Sequence, residues 1–393
     1  MAVRCHRGAR AFACYSSSVR SRGAGIVGIA LLLVGCGAPA VVAPQGCAGE
    51  TSFAGDPAAR PLVIVGNRAG DSLDLVDVDP LAKAGCISVD ENVSFIDEPF
   101  DLALPRERDQ LLVVLGHADG YTRGTLLRAQ LPAGGRLAQL DLGEEPASMA
   151  IASDQRRAWV ALFRNLKTPS GPWTATGALV AVDLDAWQVT GTVDVCAAAL
   201  GVARDDAGER VWVTCLGDDH VAVVDTRAAT PTLIGTFTLD DGAGSHGLQP
   251  AYVLVAGERV FVTAQGSGDL WIFDRASMAF VKRIDLGSSS FPQRMALMHD
   301  GAHVLIAVDG ASQLGAVVMP ALVLTARIPL PGIHPQALAV TSDDRFALVS
   351  DENDLIHPGR LARVSLGGLD AGGATLDGTV PAGTFPQAVL IVP

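Results

Sequence analysis

Seven short apolar segments of one pattern recur along residues 61 to 393, each followed by two further strand-like segments. Six are preceded by another apolar segment, and the seventh such segment lies at the C-terminus. With 43 Gly and 22 Pro among 393 residues, long helices are excluded, because either residue weakens a helix interior. A composition of 49% hydrophobic and 18% charged residues is apolar enough to bury a core. Four strands repeated every 40 to 50 residues or so form propeller blades. These observations predict an all-β chain, a seven-bladed β-propeller closed by a C-terminal strand that completes the first blade.

The second strand of each unit is LVIVG at 62, LLVVL at 111, AWVAL at 158, VWVTC at 211, VFVTA at 260, VLIAV at 304 and FALVS at 346. Runs of this length, rich in Val, Leu and Ile and bounded by turn formers, read as strands. First strands are FDLAL at 100, SMAIA at 148, LGVAR at 200, AYVLV at 251, RMALM at 294 and ALAVT at 337. The missing seventh is QAVLIV at 387, and its lead-in Pro386-Gln387 repeats Pro292-Gln293 and Pro335-Gln336. Third strands end in Asp77, Asp183, Asp225 and Asp274, with Gln130, Met319 and Ser365 in the other units. Trp159, Trp212 and Trp271 fall on strands and are expected to pack between blades.

Ahead of the repeats, Ile26 to Val34 is an apolar run too short to span a bilayer, preceded by Arg20 and Arg22 and by no acid. This is the layout of a signal peptide. It ends Leu33-Val34-Gly35-Cys36, which resembles the bacterial lipobox. The resemblance implies lipidation of Cys36, a signal peptide over 1–35 and a flexible lipidated tether over 36–60, ahead of the propeller that the repeats predict over 61–393. The long basic segment before the apolar run suggests a true start near Val19. Cleavage removes five arginines and no acid, taking the net charge from −13 to −18. So acidic a body argues against a nucleic-acid partner. The implied location is the cell envelope, periplasmic or at the outer membrane, held by the lipid. Gly37 lacks the aspartate that favours inner-membrane retention in enteric bacteria.

Four cysteines remain for the exported body and allow three pairings. Cys47–Cys86 would staple the tether to the outer strand of the first unit. A turn at Arg204 to Ala207 would set Cys196 opposite Cys215 on the first two strands of the fourth unit. A cysteine metal site would want close CxxC pairs, and the chain has none.

The strand pattern, with its third-strand aspartates, resembles the YVTN-repeat family of β-propellers over Pro61 to Pro393. In that family the loops before the first strand and between the second and third strands gather around the central channel. Three of the latter are long: 116–124, 163–177 and 350–360. They carry His117, Tyr121, Arg123, Arg164, Lys167, Trp173, Asp351, Glu352, Asp354 and His357, a surface with aromatic anchors and both charge signs. His246 and His334 precede first strands and are candidates for the channel mouth. Asp351, Glu352, Asp354 and His357 crowd three carboxylates and an imidazole together, without calcium-loop spacing, and read as a solvated acidic loop. Asp71, Asp74, Asp77 and Asp79 read as turn and strand-end residues. No metal or cofactor is expected. The leading expectation is a lipid-anchored, non-catalytic binding scaffold for a protein or small ligand on the loop face. The alternatives are a lactonase-like or lyase-like enzyme at the channel mouth and a structural subunit of an envelope complex.

Overall fold

The computed structural model describes residues 5–8, 11–14, 47, 61–90, 96–107, 109–116, 123–164, 175–240, 247–353 and 357–392. Seven four-stranded antiparallel sheets make up the ring. A separate two-stranded sheet, Cys5–Gly8 with Ala11–Cys14, precedes them. Cys36 and most of residues 1–60 lie outside the described residues.

Blade 1 joins the two ends of the chain. Its innermost strand is Pro386–Val392, followed outward by Leu62–Asn67, Ser72–Asp77 and Ala82–Ser88. Leu62 pairs with Val392 and Gly66 with Ala388, so the first and last strands zip antiparallel as the repeats predict. The other innermost strands are Pro99–Ala103, Pro146–Ile151, Ala199–Asp205, Pro250–Ala256, Pro292–Leu297 and Pro335–Val340 in blades 2 to 7. Each innermost strand packs on those of the two neighbouring blades, including the last on the first. The ring therefore has no gap along its centre.

Both faces of every blade pack on a neighbour, which is why the second strands are continuously apolar rather than alternating. Leu62, Val63, Ile64 and Val65 are all fully buried, the even residues packing toward blade 2 and the odd ones toward blade 7. Trp159, Trp212 and Trp271 are buried in the seams between blades, as expected. Blade 4 approaches blade 5 so closely at Gly201 that a Cβ there would lie 2.6 Å from the Ala251 carbonyl oxygen. The strand-end aspartates cap turns: Asp183 Oδ1 accepts the Asp185 and Ala186 amides, and Asp274 Oδ1 accepts the Ser277 amide.

Both expected disulfides form, Cys47–Cys86 and Cys196–Cys215, with Cα separations of 5.7 and 5.6 Å. The first ties the segment before the ring to the outermost strand of blade 1. The second differs in geometry from the expectation. Cys196 belongs to the outermost strand of blade 3, Gln188–Ala197, and Cys215 to the second strand of blade 4, Arg210–Cys215. A bulge sets Ala199 opposite Cys215, and the hairpin turn sits at 206–209 instead of 204–207. The bridge clasps two blades, and closing a loop of this length contributes about 3 kcal/mol.

Candidate functional site

One backbone hydrogen bond repeats in all seven blades and defines the channel mouth. The residue after the second strand donates its amide to the carbonyl of the residue before the innermost strand. The donors are Arg68, Gly116, Phe163, Leu216, Gln265, Asp309 and Glu352. The acceptors, in the same order, are Phe385, Glu98, Glu145, Ala198, Gln249, Phe291 and His334. Every innermost strand then begins with a bulge, a device that redirects side chains at a sheet edge. Its second residue is Phe100, Ala147, Leu200, Ala251, Gln293, Gln336 or Gln387 in blades 2 to 7 and 1.

These positions divide the mouth in two. Blades 2 to 5 contribute one apolar cluster that includes Phe100, Ala147, Phe163, Leu200, Leu216 and Tyr252. Blades 5 to 2, continuing round the ring, contribute hydrogen-bonded polar pairs. Gln265 Nε2 donates to Gln293 Oε1 at 2.7 Å. The His334 imidazole, half exposed, meets Asp309 Oδ1 through Nδ1 at 3.0 Å. Arg68 donates from Nη1 to Gln387 Oε1 at 2.7 Å and from Nε to Glu98 Oε2 at 3.0 Å. Its guanidinium also lies 4.6 Å from the Phe100 ring centre and 5.7 Å from that of Phe385.

One residue further along the innermost strands, an ion pair crosses the ring. Arg294 of blade 6 donates from Nη1 to Asp101 Oδ1 of blade 2 at 3.0 Å and from Nη2 to the Phe100 carbonyl at 3.2 Å. The guanidinium lies 4.9 Å from the Tyr252 ring of blade 5, and Asp101 Oδ2 accepts the Met149 amide of blade 3. Four blades thus meet at one floor. Burial opposes the charge on Arg294, but Asp101 and Tyr252 outweigh it and hold the guanidinium more basic than usual.

The candidates read from the sequence distribute unevenly over this site. His334 and Glu352 are at the mouth, joined by the Glu352 amide on the His334 carbonyl at 3.1 Å. Arg123 and Arg164 are not drawn into it. Arg123 pairs with Asp141, and Arg164 Nη1 pairs with Asp194 Oδ1 at 2.8 Å, both acids on outermost strands. His357 is exposed at the entry to the third strand of blade 7. His117, Tyr121, Lys167, Trp173, His246 and Asp354 lie outside the described residues. The repeated hydrogen bond places Gln249 where His334 stands in blade 7. Asp351 is fully buried instead of solvated. Its Oδ1 accepts the His334 amide at 2.7 Å and its Oδ2 the Arg360 Nε at 2.7 Å.

Sequence reasoning missed Arg68, Glu98, Asp101 and Arg294. A signal was present: the Pro-Gln lead-ins mark positions that face the channel, and Arg294 follows one of them directly. Among the described residues, two groups of three side chains have metal-ligand spacing, Cys196, Cys215 and Asp218, and Asp71, Asp90 and Asp97. In the first, the two sulfurs are bonded to each other.

No protein-family model and no curated protein matches the chain. Its fold matches many solved structures. A candidate 6-phosphogluconolactonase of Bacteroides fragilis superposes with a TM-score of 0.65 at 11% identity, over 86% of this chain and 100% of that one. The periplasmic gluconolactonase of Pseudomonas aeruginosa gives 0.65 at 18% identity, over 85% and 99%. Hydrazine synthase of Kuenenia stuttgartiensis gives 0.59 at 14% identity, over 77% and 91%. Likeness at these identities establishes the fold, and the diversity of these names illustrates how one fold carries unrelated functions.

Proposed function

We propose that this chain is an exported, lipid-anchored binding protein that takes a small ligand at the two-sided channel mouth. The ligand has one hydrogen-bonding edge and one apolar face, the chemistry of a sugar or sugar acid. A single observation carries this reading. Of the three equivalent glutamines in adjacent blades, Gln293 and Gln387 are engaged by Gln265 and Arg68, whereas Gln336 Nε2 is buried with no hydrogen-bond partner. A buried amide donor normally has an acceptor, and a ligand oxygen supplies one.

The test is calorimetric titration of the mature protein with a panel of aldoses, aldonic acids and their lactones. Gln336→Leu is expected to weaken binding by at least about tenfold while leaving the melting temperature unchanged, because it removes an unsatisfied donor. Equal binding by the variant, or no binding from the panel at millimolar concentration, would overturn the reading. Export is supported by the two disulfides, which persist in oxidising compartments. Anchoring rests on the lipobox pattern at Cys36. Palmitate labelling of the expressed chain, abolished by Cys36→Ser, is the expected result, and labelling that survives would refute it.

A second reading, lactone hydrolysis, is favoured by the Asp309–His334 pair. A carboxylate beside an imidazole supports it as a general base for water attacking a carbonyl. The gluconolactonase likeness raises the same chemistry. Incubating the lactones of the panel with the protein decides between the two: hydrolysis above the buffer rate, lost in His334→Ala, makes the protein an enzyme.

A further inference from the structure

Asp71 lies in the turn between the second and third strands of blade 1, with a left-handed φ of 46°. Its counterpart in blade 4 is Asp219, with a φ of 58°. In both, the main-chain oxygen accepts an amide at the start of the connection leaving the blade, from Val89 and Leu239 respectively. In both, the carboxylate holds the far end of that connection. Asp219 divides the task between its oxygens, Oδ2 accepting the Gly247 amide at 2.7 Å and Oδ1 the Gln249 amide at 2.8 Å. Asp71 does the same work with one oxygen: Oδ1 accepts both the Asp97 amide at 2.8 Å and the Glu98 amide at 3.1 Å. Its Oδ2 is left buried without a hydrogen-bond partner, on a residue that is 0% exposed.

The Asp71 carboxylate has two further carboxylates beside it. Ligand oxygens of Asp71, Asp90 and Asp97 all lie within 4.8 Å of one another, and Asp97 is also fully buried. Asp90 Oδ1 is buried and has no hydrogen-bond partner. Around the cluster, Arg136 donates to the main-chain oxygens of Val89 and Asp90, Lys83 pairs with Asp74, and Arg68 with Glu98. Three acids brought this close, two of them fully buried and one half-buried, repel one another unless a countercharge joins them. Burial above all, with the Asp90 charge adding to it against the Asp97 amide bond, pushes the Asp71 carboxyl up to about 7.

We propose that Asp71, Asp90 and Asp97 bind a calcium ion. The donor set is oxygen only, which selects a hard cation, and an irregular carboxylate cluster out of water suits Ca²⁺ better than Mg²⁺, which retains octahedral water. The ion joins the turn that carries Arg68 to the inter-blade connection that ends at Glu98. It thereby braces one side of the channel mouth from behind. The site stands on its own geometry and does not depend on what the mouth binds.

The test is titration of chelator-stripped mature protein with CaCl₂, followed by calorimetry and by thermal melting. One saturable site and a melting temperature that rises with calcium are expected. Asp71→Asn keeps the Oδ1 acceptor and removes the charge. It is expected to lower calcium affinity at least about tenfold while melting no lower than wild type in chelator. Asp90→Asn, which leaves the amide clasp untouched, provides the same reading if the first variant does not fold. Asp219→Asn should leave the calcium response intact. The proposal is overturned by absence of binding at millimolar calcium, by equal or tighter binding of MgCl₂, or by variants that respond to calcium as wild type does. A loss of stability in Asp71→Asn that is the same with and without calcium would identify Asp71 as a loop clasp alone.

Discussion

Deleting Pro386–Val392 is expected to abolish cooperative folding. The deleted strand is the innermost one of blade 1, and it pairs along the whole of Leu62–Asn67 while packing against the innermost strands of blades 7 and 2. Ala388 and Val392 belong to the cluster that blade 1 shares with blade 2, and Val389 and Ile391 pack on the cluster shared with blade 7. Burying each large apolar side chain contributes roughly 1.5–3 kcal/mol. Losing Val392 from the buried core and the half-buried Val389 and Ile391, together with a row of strand hydrogen bonds, approaches the net stability of about 5–15 kcal/mol that a whole domain has. The strand Leu62–Asn67, fully buried in the intact ring, would become an open apolar edge able to pair with other chains. Recovery of the truncated protein in aggregates, with no sigmoidal urea transition, is the expected measurement. A soluble truncated chain that unfolds with the same urea dependence as the full one would show that closure by this strand is dispensable.

The second large effect is expected at the floor of the channel. Arg294→Ala leaves Asp101, whose side chain is 10% exposed, with its cross-ring partner gone and only amide donors remaining. Removing one member of a buried pair costs about 3–5 kcal/mol, mostly because the remaining charge is stranded out of water. The lower end applies here, since Arg294 keeps 20% of its side chain exposed. Replacing both residues, as Arg294→Met with Asp101→Asn, removes the stranded charge and should recover most of the loss. A urea-denaturation double-mutant cycle reads the coupling between the two positions directly. Additive single effects, or a loss below about 1 kcal/mol in Arg294→Ala, would mean that the pair does not tie the blades together.

The register of the repeats carried the architecture because each second strand is a local signal, four to six apolar residues between turn formers, and each is found where the pattern put it. Turns were harder. The hairpin of blade 4 starts at Asp206, and that shift of two residues moves Cys196 out of the blade, onto its neighbour. The pairing survived because the two candidate strands end side by side in space.

Local sequence signals specify a seven-bladed ring, where each blade begins, and that the two ends meet in blade 1. Those properties follow from apolar periodicity and turn chemistry, which act over a few residues and need no knowledge of the rest of the chain. Packing in three dimensions is what makes Arg294 reach Asp101, 193 residues away, joins Arg68 to Gln387 and Glu98, and gathers Asp71, Asp90 and Asp97. A polar side chain in a strand start looks the same in sequence whether it faces solvent or the channel. Ring closure, which brings several strand starts together around one axis, is what turns such residues into a site.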